Sequence, residues 1–164
     1  MAEGDIYYAK QDHCYVLKFV GDIRYTQGNA LEQFLKRLFR ENDFDDMLID
    51  LSETTSIDST NLGLLAKIAN YMRRHQHKRA TLVSLNDDVN QTLEGVGFFQ
   101  VFDIRGDAGC YPDAENNVPA TQPSKAELTR TVLEAHQTLS NLNEKNRLAF
   151  KSVLDAFDQQ PPED

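Results

Sequence analysis

The stretch Asp50-Leu51-Ser52-Glu53-Thr54-Thr55-Ser56-Ile57-Asp58-Ser59-Thr60-Asn61-Leu62-Gly63-Leu64-Leu65 changes its hydrophobic period part-way along, and that change decides the fold. Just upstream, Met47-Leu48-Ile49-Asp50-Leu51 is the short apolar run of a strand covered on both faces. A polar loop then carries the chain to Ile57-Asp58, and a helix is expected from Ser59 to His75. On that helix Leu62, Leu64, Leu65, Ala66, Ile68, Ala69, Tyr71 and Met72 cover well over half the circumference, whereas a surface helix needs a stripe of roughly 100°. The surplus has two readings. A neighbouring helix buries it, or Leu62 and Ala66 stay partly exposed beside Ser59 for a partner. Ser59 falls at the N-cap, where its hydroxyl can accept from the amide of Asn61 or Leu62.

Working outward, Ile6–Ala9 and Cys14–Val20 read as a hairpin turning at Gln11-Asp12-His13. Gly28 to Arg40 carries Leu31, Phe34, Leu35, Leu38 and Phe39 at helical spacing and ends at Asn42-Asp43. Beyond the Ser59 helix come a buried strand, Ala80–Leu85, and a short helix capped by Asn86, with Asp87 and Asp88 in its first turn. Gly95 and Gly97 stop that helix, and Val101–Ile104 closes the series. The order is β-β-α-β-α-β-α-β. Strands joined by helices lie parallel, and the hairpin adds an antiparallel partner. The expectation is a single α/β layer with a mixed, mostly parallel sheet over residues 1–105.

Residues 106–123 hold Gly/Pro-punctuated turns without periodicity and read as a linker. Ser124 with Glu127 forms a capping box, and nothing breaks the helix it starts before Pro161. One long helix over 124–158, some 30 residues or about 45–50 Å, is expected, followed by a disordered tail at 159–164. Leu128, Val132, Ala135, Leu139, Leu142, Asn146, Ala149, Val153 and Ala156 make a heptad seam whose polar member, Asn146, is of the type that fixes register. Two readings stand: the helix folds back on its own domain, or it dimerises or seats in a partner's groove.

The run DLSETTSIDSTNLGLL resembles the signature of STAS domains in bacterial anti-sigma-factor antagonists: a strand ending Asp-Leu-Ser, a loop, then Ile-Asp-Ser-Ser/Thr, a small residue and Leu-Gly. The element order over residues 6–104 is similar too, as is the closing Leu93…Gly97-Phe98…Val101-Phe102-Asp103-Ile104. Asn61 stands where many members have Gly or Ala, and Thr55 replaces a more usual apolar residue. The resemblance implies partner switching. The unmodified protein binds an anti-sigma factor, often itself a serine kinase; phosphorylation of the motif serine breaks the complex, and a PP2C-type phosphatase restores it. Carried over, Ser59 is the phosphoacceptor, with Thr60 as the alternative. Asp58, Ser59, Thr60, Asn61, Leu62, Gly63 and Ala66 form the partner-binding face. Independently of any family, a phosphate at Ser59 adds about −1.5 to −2 charge at a helix start whose free amides and dipole tolerate it.

Bulk properties agree. The net charge of −9 is spread over both parts, 12 Lys/Arg against 16 Asp/Glu in residues 1–105 and 5 against 10 beyond, which disfavours nucleic acid and favours a protein partner. Two cysteines, Cys14 and Cys110, give no disulfide framework, and no signal peptide or membrane-spanning run is legible, so a cytoplasmic protein is expected. No cofactor or metal is expected: His75-Gln76-His77 lies among Arg73, Arg74, Lys78 and Arg79 without a nearby carboxylate or thiol, and His13 beside Cys14 has the same defect. Gly95-Val96-Gly97 lacks the Lys of a phosphate loop. No nucleophile–base pair is legible, and no histidine is placed beside Ser59 by sequence, so no catalytic residue and no enzyme is expected. Two alternatives keep a non-enzymatic role: a constitutive STAS subunit of a larger, for instance transport-associated, complex, and a phosphorelay receiver using Asp50. The second lacks the acidic pair and the terminal Lys that receivers need.

Overall fold

The computed structural model describes residues 3–107, 109 and 111–159, so Cys110 and the tail from 160 onward lie outside it. Its strands are β1 (Asp5–Gln11), β2 (Cys14–Ile23), β3 (Asp46–Ile57), β4 (Thr81–Val83), β5 (Asp103–Arg105) and β6 (Asn116–Asn117). Its helices are α1 (Gly28–Glu41), α2 (Ser59–Tyr71), α3 (Asp87–Gly95), α4 (Lys125–Ser140), α5 (Glu144–Ala149) and α6 (Lys151–Gln159). They form one mixed sheet in the order β5-β4-β3-β2-β1-β6. The β2–β3, β3–β4 and β4–β5 pairs are parallel, while β1 runs antiparallel to β2 and to β6. This is the α/β, mostly parallel architecture expected from the alternation of periods.

The pleat sorts side chains to two faces. Leu17, Phe19, Met47, Ile49 and Leu51 join the large core with Leu31, Phe34, Leu35 and Leu38 of α1 and Leu62, Leu64, Leu65 and Ile68 of α2. Val16, Leu48 and Val83 point the other way, into a small cluster with Ala9 and Ala114, against which Tyr7 and Tyr111 pack. The core therefore sits under the helices, and the outer face carries only a thin cover.

Four features differ from the sequence-based reading. The polar run 52–57 is not a loop. It continues β3 alongside β2 as far as the Ile23–Ile57 pair, with register shifts after Lys18 and Gly21. Such irregularities bend a strand and leave polar groups to satisfy; Thr54 Oγ1 does so by donating to the Phe19 carbonyl at 2.7 Å. The closing strand starts at Asp103, because Phe98–Gln100 forms a 3-10 turn that buries Phe98 and Phe102. The segment read as a linker is partly structured: Asn116–Asn117 adds an edge strand and Ala114 is buried.

The C-terminal stretch is three helices rather than one. Asn143 caps α5, accepting from the Asn146 amide at 2.8 Å, which ends the run at Asn141–Asn143. Asn146 does not set register between two copies. It is 1% exposed and donates to the Val96 and Leu139 carbonyls at 2.9 and 3.0 Å. Ala135 and Leu139, read as seam residues, are buried within this chain. Asn143 also abuts Gly97, whose φ of +82° and lack of a side chain admit that approach.

Candidate functional site

Asp58, not Ser59, caps α2. Its backbone is extended, and its Oδ1 accepts from the Asn61 amide at 3.0 Å and from Asn61 Nδ2 at 2.9 Å. A carboxylate is the better acceptor here because the helix dipole favours negative charge at its start. Ser59 is thereby moved into the first helical position, and its hydroxyl is free for another partner.

That partner comes from α4. Ser59 Oγ lies 2.7 Å from His136 Nε2, and His136 Nδ1 lies 2.7 Å from the Val132 carbonyl. A carbonyl only accepts, so Nδ1 carries a proton; in the neutral ring Nε2 is then an acceptor, and the serine hydroxyl donates to it. His136 is 6% exposed, with Phe150 edge-on to its ring at 5.8 Å between centroids. The sequence placed no histidine beside Ser59; folding α4 back does. The arrangement puts a base next to a hydroxyl, but α4 itself occupies the space above the pair, and none of the described clefts is lined by Ser59.

The seat of α4 is built from small and polar side chains. Gly63 faces α4 so closely that a Cβ there would collide with the Ala135 carbonyl. Thr131, 1% exposed, donates to Glu32 Oε1 at 2.9 Å and lies 3.3 Å from Asn29 Nδ2. Glu32 in turn pairs with Lys67 at 3.2 Å, and Lys67 lies 3.7 Å from Glu134. Asn29 accepts from Thr121 at 2.7 Å. One polar set, buried at Asn29, Glu32 and Thr131 and reaching the surface at Glu134, thus ties α4 to both α1 and α2.

The residues expected to form a partner face lie mostly under cover. Asp58 and Ser59 are half-buried; Thr60, Asn61, Leu62, Gly63 and Ala66 are buried. Leu62 and Ala66 are not left open beside Ser59, since α1, α4 and the sheet enclose α2 on nearly all sides. The wide apolar arc of α2 is the mark of a helix buried all round.

On the outer face, Asp50 is 2% exposed and accepts from the Ser52 amide at 2.9 Å and from the Tyr111 hydroxyl at 2.7 Å. Burial, the bond to Asp50 and the surrounding acids push the Tyr111 hydroxyl up to about 12. Asp50 is thus committed to Tyr111 rather than displayed as an acceptor. At the far end of α2, a π turn over Met72–Gln76 is followed by His77 in the left-handed region. Arg73, exposed there, lines two clefts of about 260 and 500 Å³. His75 packs on Tyr71. Among the described residues no group of three His, Cys, Asp or Glu could hold a metal. Burial raises the Cys14 thiol above its ordinary range. No described helix is long and apolar enough to cross a membrane.

Compared with known proteins, residues 5–112 match the STAS domain model. The chain belongs to the STAS domain family. The STAS match takes in the whole sheet apart from β6, with α1, α2 and Ser59. It stops before α4, so the helix that carries His136 is an addition to the matched unit. Among solved structures, the STAS fold is similar to "Structure of the Anti-Sigma Factor Antagonist SpoIIAA in its Unphosphorylated Form". The TM-score is 0.53 and the identity 9%, over 63% of this chain and 89% of that one. At that identity the likeness establishes the fold. No curated protein sequence matches the chain.

Two residues of the site escaped the sequence reading. His136 offered one weak signal, a histidine beside the apolar seam of an otherwise soluble-looking helix. Tyr111 offered another, an aromatic in a Gly/Pro-punctuated segment, where docking onto a core is a usual reason for its presence.

Proposed function

We propose that this STAS chain is a phosphorylation-switched, non-enzymatic binding regulator of the anti-sigma-factor antagonist type. The unphosphorylated form binds an anti-sigma factor or serine kinase, phosphorylation of Ser59 releases it, and a PP2C-type phosphatase resets the switch. The cytoplasm is the setting this implies. In the modifying step Ser59 Oγ attacks the γ-phosphorus of a nucleoside triphosphate held by the kinase. The new O–P bond replaces the β–γ bridge, the nucleoside diphosphate leaves, and the hydroxyl proton passes to the kinase's base. The phosphatase returns the serine and inorganic phosphate with water.

The observation that carries this reading is the position of Ser59. Within a STAS match, Asp58 takes over the capping role, so the Ser59 hydroxyl is a half-buried group at a helix start and is not needed to hold the helix. Thr60, the alternative acceptor, is 2% exposed, which favours Ser59. A phosphoryl group beside Asp58 concentrates negative charge where a partner would dock.

The test is a pull-down from native lysate with wild type, Ser59→Ala and Ser59→Asp, coupled to phosphopeptide mass spectrometry. The expected result is phosphate on Ser59, the same partner recovered by wild type and Ser59→Ala, and loss of that partner from Ser59→Asp. Equal recovery by all three, with no phosphate on Ser59 or Thr60, sinks the switch and leaves the constitutive STAS subunit.

A further inference from the structure

We infer that the α2 face next to Ser59 is a seat for an amphipathic helix, that α4 is its resident occupant, and that the partner engages the face by supplying a competing helix of the same pattern. The inference rests on the reading of α2 as the partner face and specifies the kind of partner that fits it.

Three observations carry it. First, the seat is shaped for close helix approach: Gly63 lets the Ala135 backbone come within touching distance, and no larger residue could stand there. Second, the buried side of α4 is unlike a core helix. It consists of Ala126, Thr131, Ala135, His136, Leu139 and Ser140, with Leu139 its one large aliphatic. By contrast α1 buries Leu31, Phe34, Leu35 and Leu38. Apolar burial scales with area, so α4, with fewer large side chains fully buried than α1, leans more on specific polar contacts, as an exchangeable contact does. Third, the STAS match ends at residue 112, so α2 belongs to the matched unit and its cover does not.

The occupant also describes its competitor. Ala135 lies over Gly63, Glu134 faces Lys67, His136 takes the Ser59 hydroxyl, and Leu139 follows four residues on. A partner helix of this class presents an acidic residue, then a small one, a hydrogen-bonding side chain for Ser59, and a leucine one turn later. With Oγ and Nε2 at 2.7 Å, a phosphoryl group on Ser59 replaces the hydroxyl proton that makes this link and so removes the tie to a helix seated there.

The test uses full-length protein and a fluorescein-labelled peptide of residues 124–143. Ala135→Glu unseats α4 while leaving the seat intact. The peptide is expected to bind this variant ~10-fold or more tighter than wild type, whose seat is filled. Adding Gly63→Ala to Ala135→Glu is expected to remove that binding. Equal binding to wild type and Ala135→Glu, or binding to neither, overturns the proposal. Should Ala135→Glu lose its near-UV circular dichroism, His136→Ala decides alone. It removes the link to Ser59 together with the ring's contact to Phe150, and amide exchange over 125–140 is expected to quicken roughly fivefold; unchanged exchange overturns the proposal. None of these measurements requires Ser59 to be phosphorylated. A failed peptide experiment therefore leaves the Ser59 switch acting elsewhere, and absent phosphate leaves the helix seat standing.

Discussion

On the helix-covered face of the sheet, Ser59 gives its hydroxyl to His136 of α4; on the outer face, Asp50 takes a hydroxyl from Tyr111 of the 106–117 segment. Both polar groups lie near the β3–α2 stretch, and both are met by residues beyond the fifth strand. The two closures differ in kind. Asp50 is a charged group at 2% exposure whose bonds offset the cost of burying it. Ser59 is a neutral group at a half-buried rim, and losing its bond to His136 exposes it to water rather than stranding it. The outer closure therefore acts as structure and the helical one as a latch. Of the two hydroxyl bonds, the one at Ser59 is the less costly to break.

The largest expected effect tests whether the latch side is truly packed. Leu139 is wholly buried between α4 and the core, and Leu139→Ala is expected to lower unfolding free energy by about 2–5 kcal/mol in urea titration. A loss no bigger than that of an exposed site would mean that α4 is not seated.

Next comes the outer face. Tyr111→Phe strips a hydrogen bond from a buried carboxylate, for an expected loss of about 1.5–3 kcal/mol at neutral pH. The same residue sets a pH dependence. Its folded hydroxyl is raised to about 12, above the ordinary value of 10.0, so the folded state holds the proton longer than the unfolded chain does. The stabilisation is complete below pH 10 and is lost as pH rises through 12. Tyr111→Phe is expected to flatten that alkaline fall and to delete a late-titrating component from the 295 nm absorbance. If the fall is unchanged, the asymmetry between the two faces disappears.

The third test returns to the latch. Gly63→Ala forces a Cβ against the Ala135 backbone, and displacing α4 is expected to cost about 1–3 kcal/mol. Exchange should quicken over residues 125–140 and stay slow in β2 and β3. Uniform quickening would make α4 part of the core rather than a separable cover.

The contrast also explains how much could be read in advance. The strand and helix order was legible because each element carries its own period, as Met47–Leu51 and the 28–40 stretch do. The end of β3 was not, since Ser52–Ser56 has no apolar alternation and becomes strand only through β2 and the Thr54 bond. Ser59 was legible as a candidate from its frame. Its partner was not, because a pairing across 77 residues is set by where α4 docks, and that depends on Gly63 and on a polar network no local pattern announces. The helix breaks at 141–143 were hidden in plain polar residues, whose capping role appears only when Asn146 finds the Val96 carbonyl.

The smallest expected effect separates the two roles at the head of α2. If Ser59 were the cap, Ser59→Ala would cost about 1 kcal/mol and Asp58→Ala would be nearly silent. With Asp58 accepting from the Asn61 amide and side chain, the order reverses. Asp58→Ala is expected to lose about 1 kcal/mol, and Asp58→Asn to recover most of that, because an amide oxygen also caps. Ser59→Ala should change the urea midpoint less than Asp58→Ala while quickening amide exchange in α4, since what it removes is the tie to His136. A serine free of the helix's own upkeep can be modified without melting the helix behind it, and equal midpoints for the two alanine variants would take that freedom away.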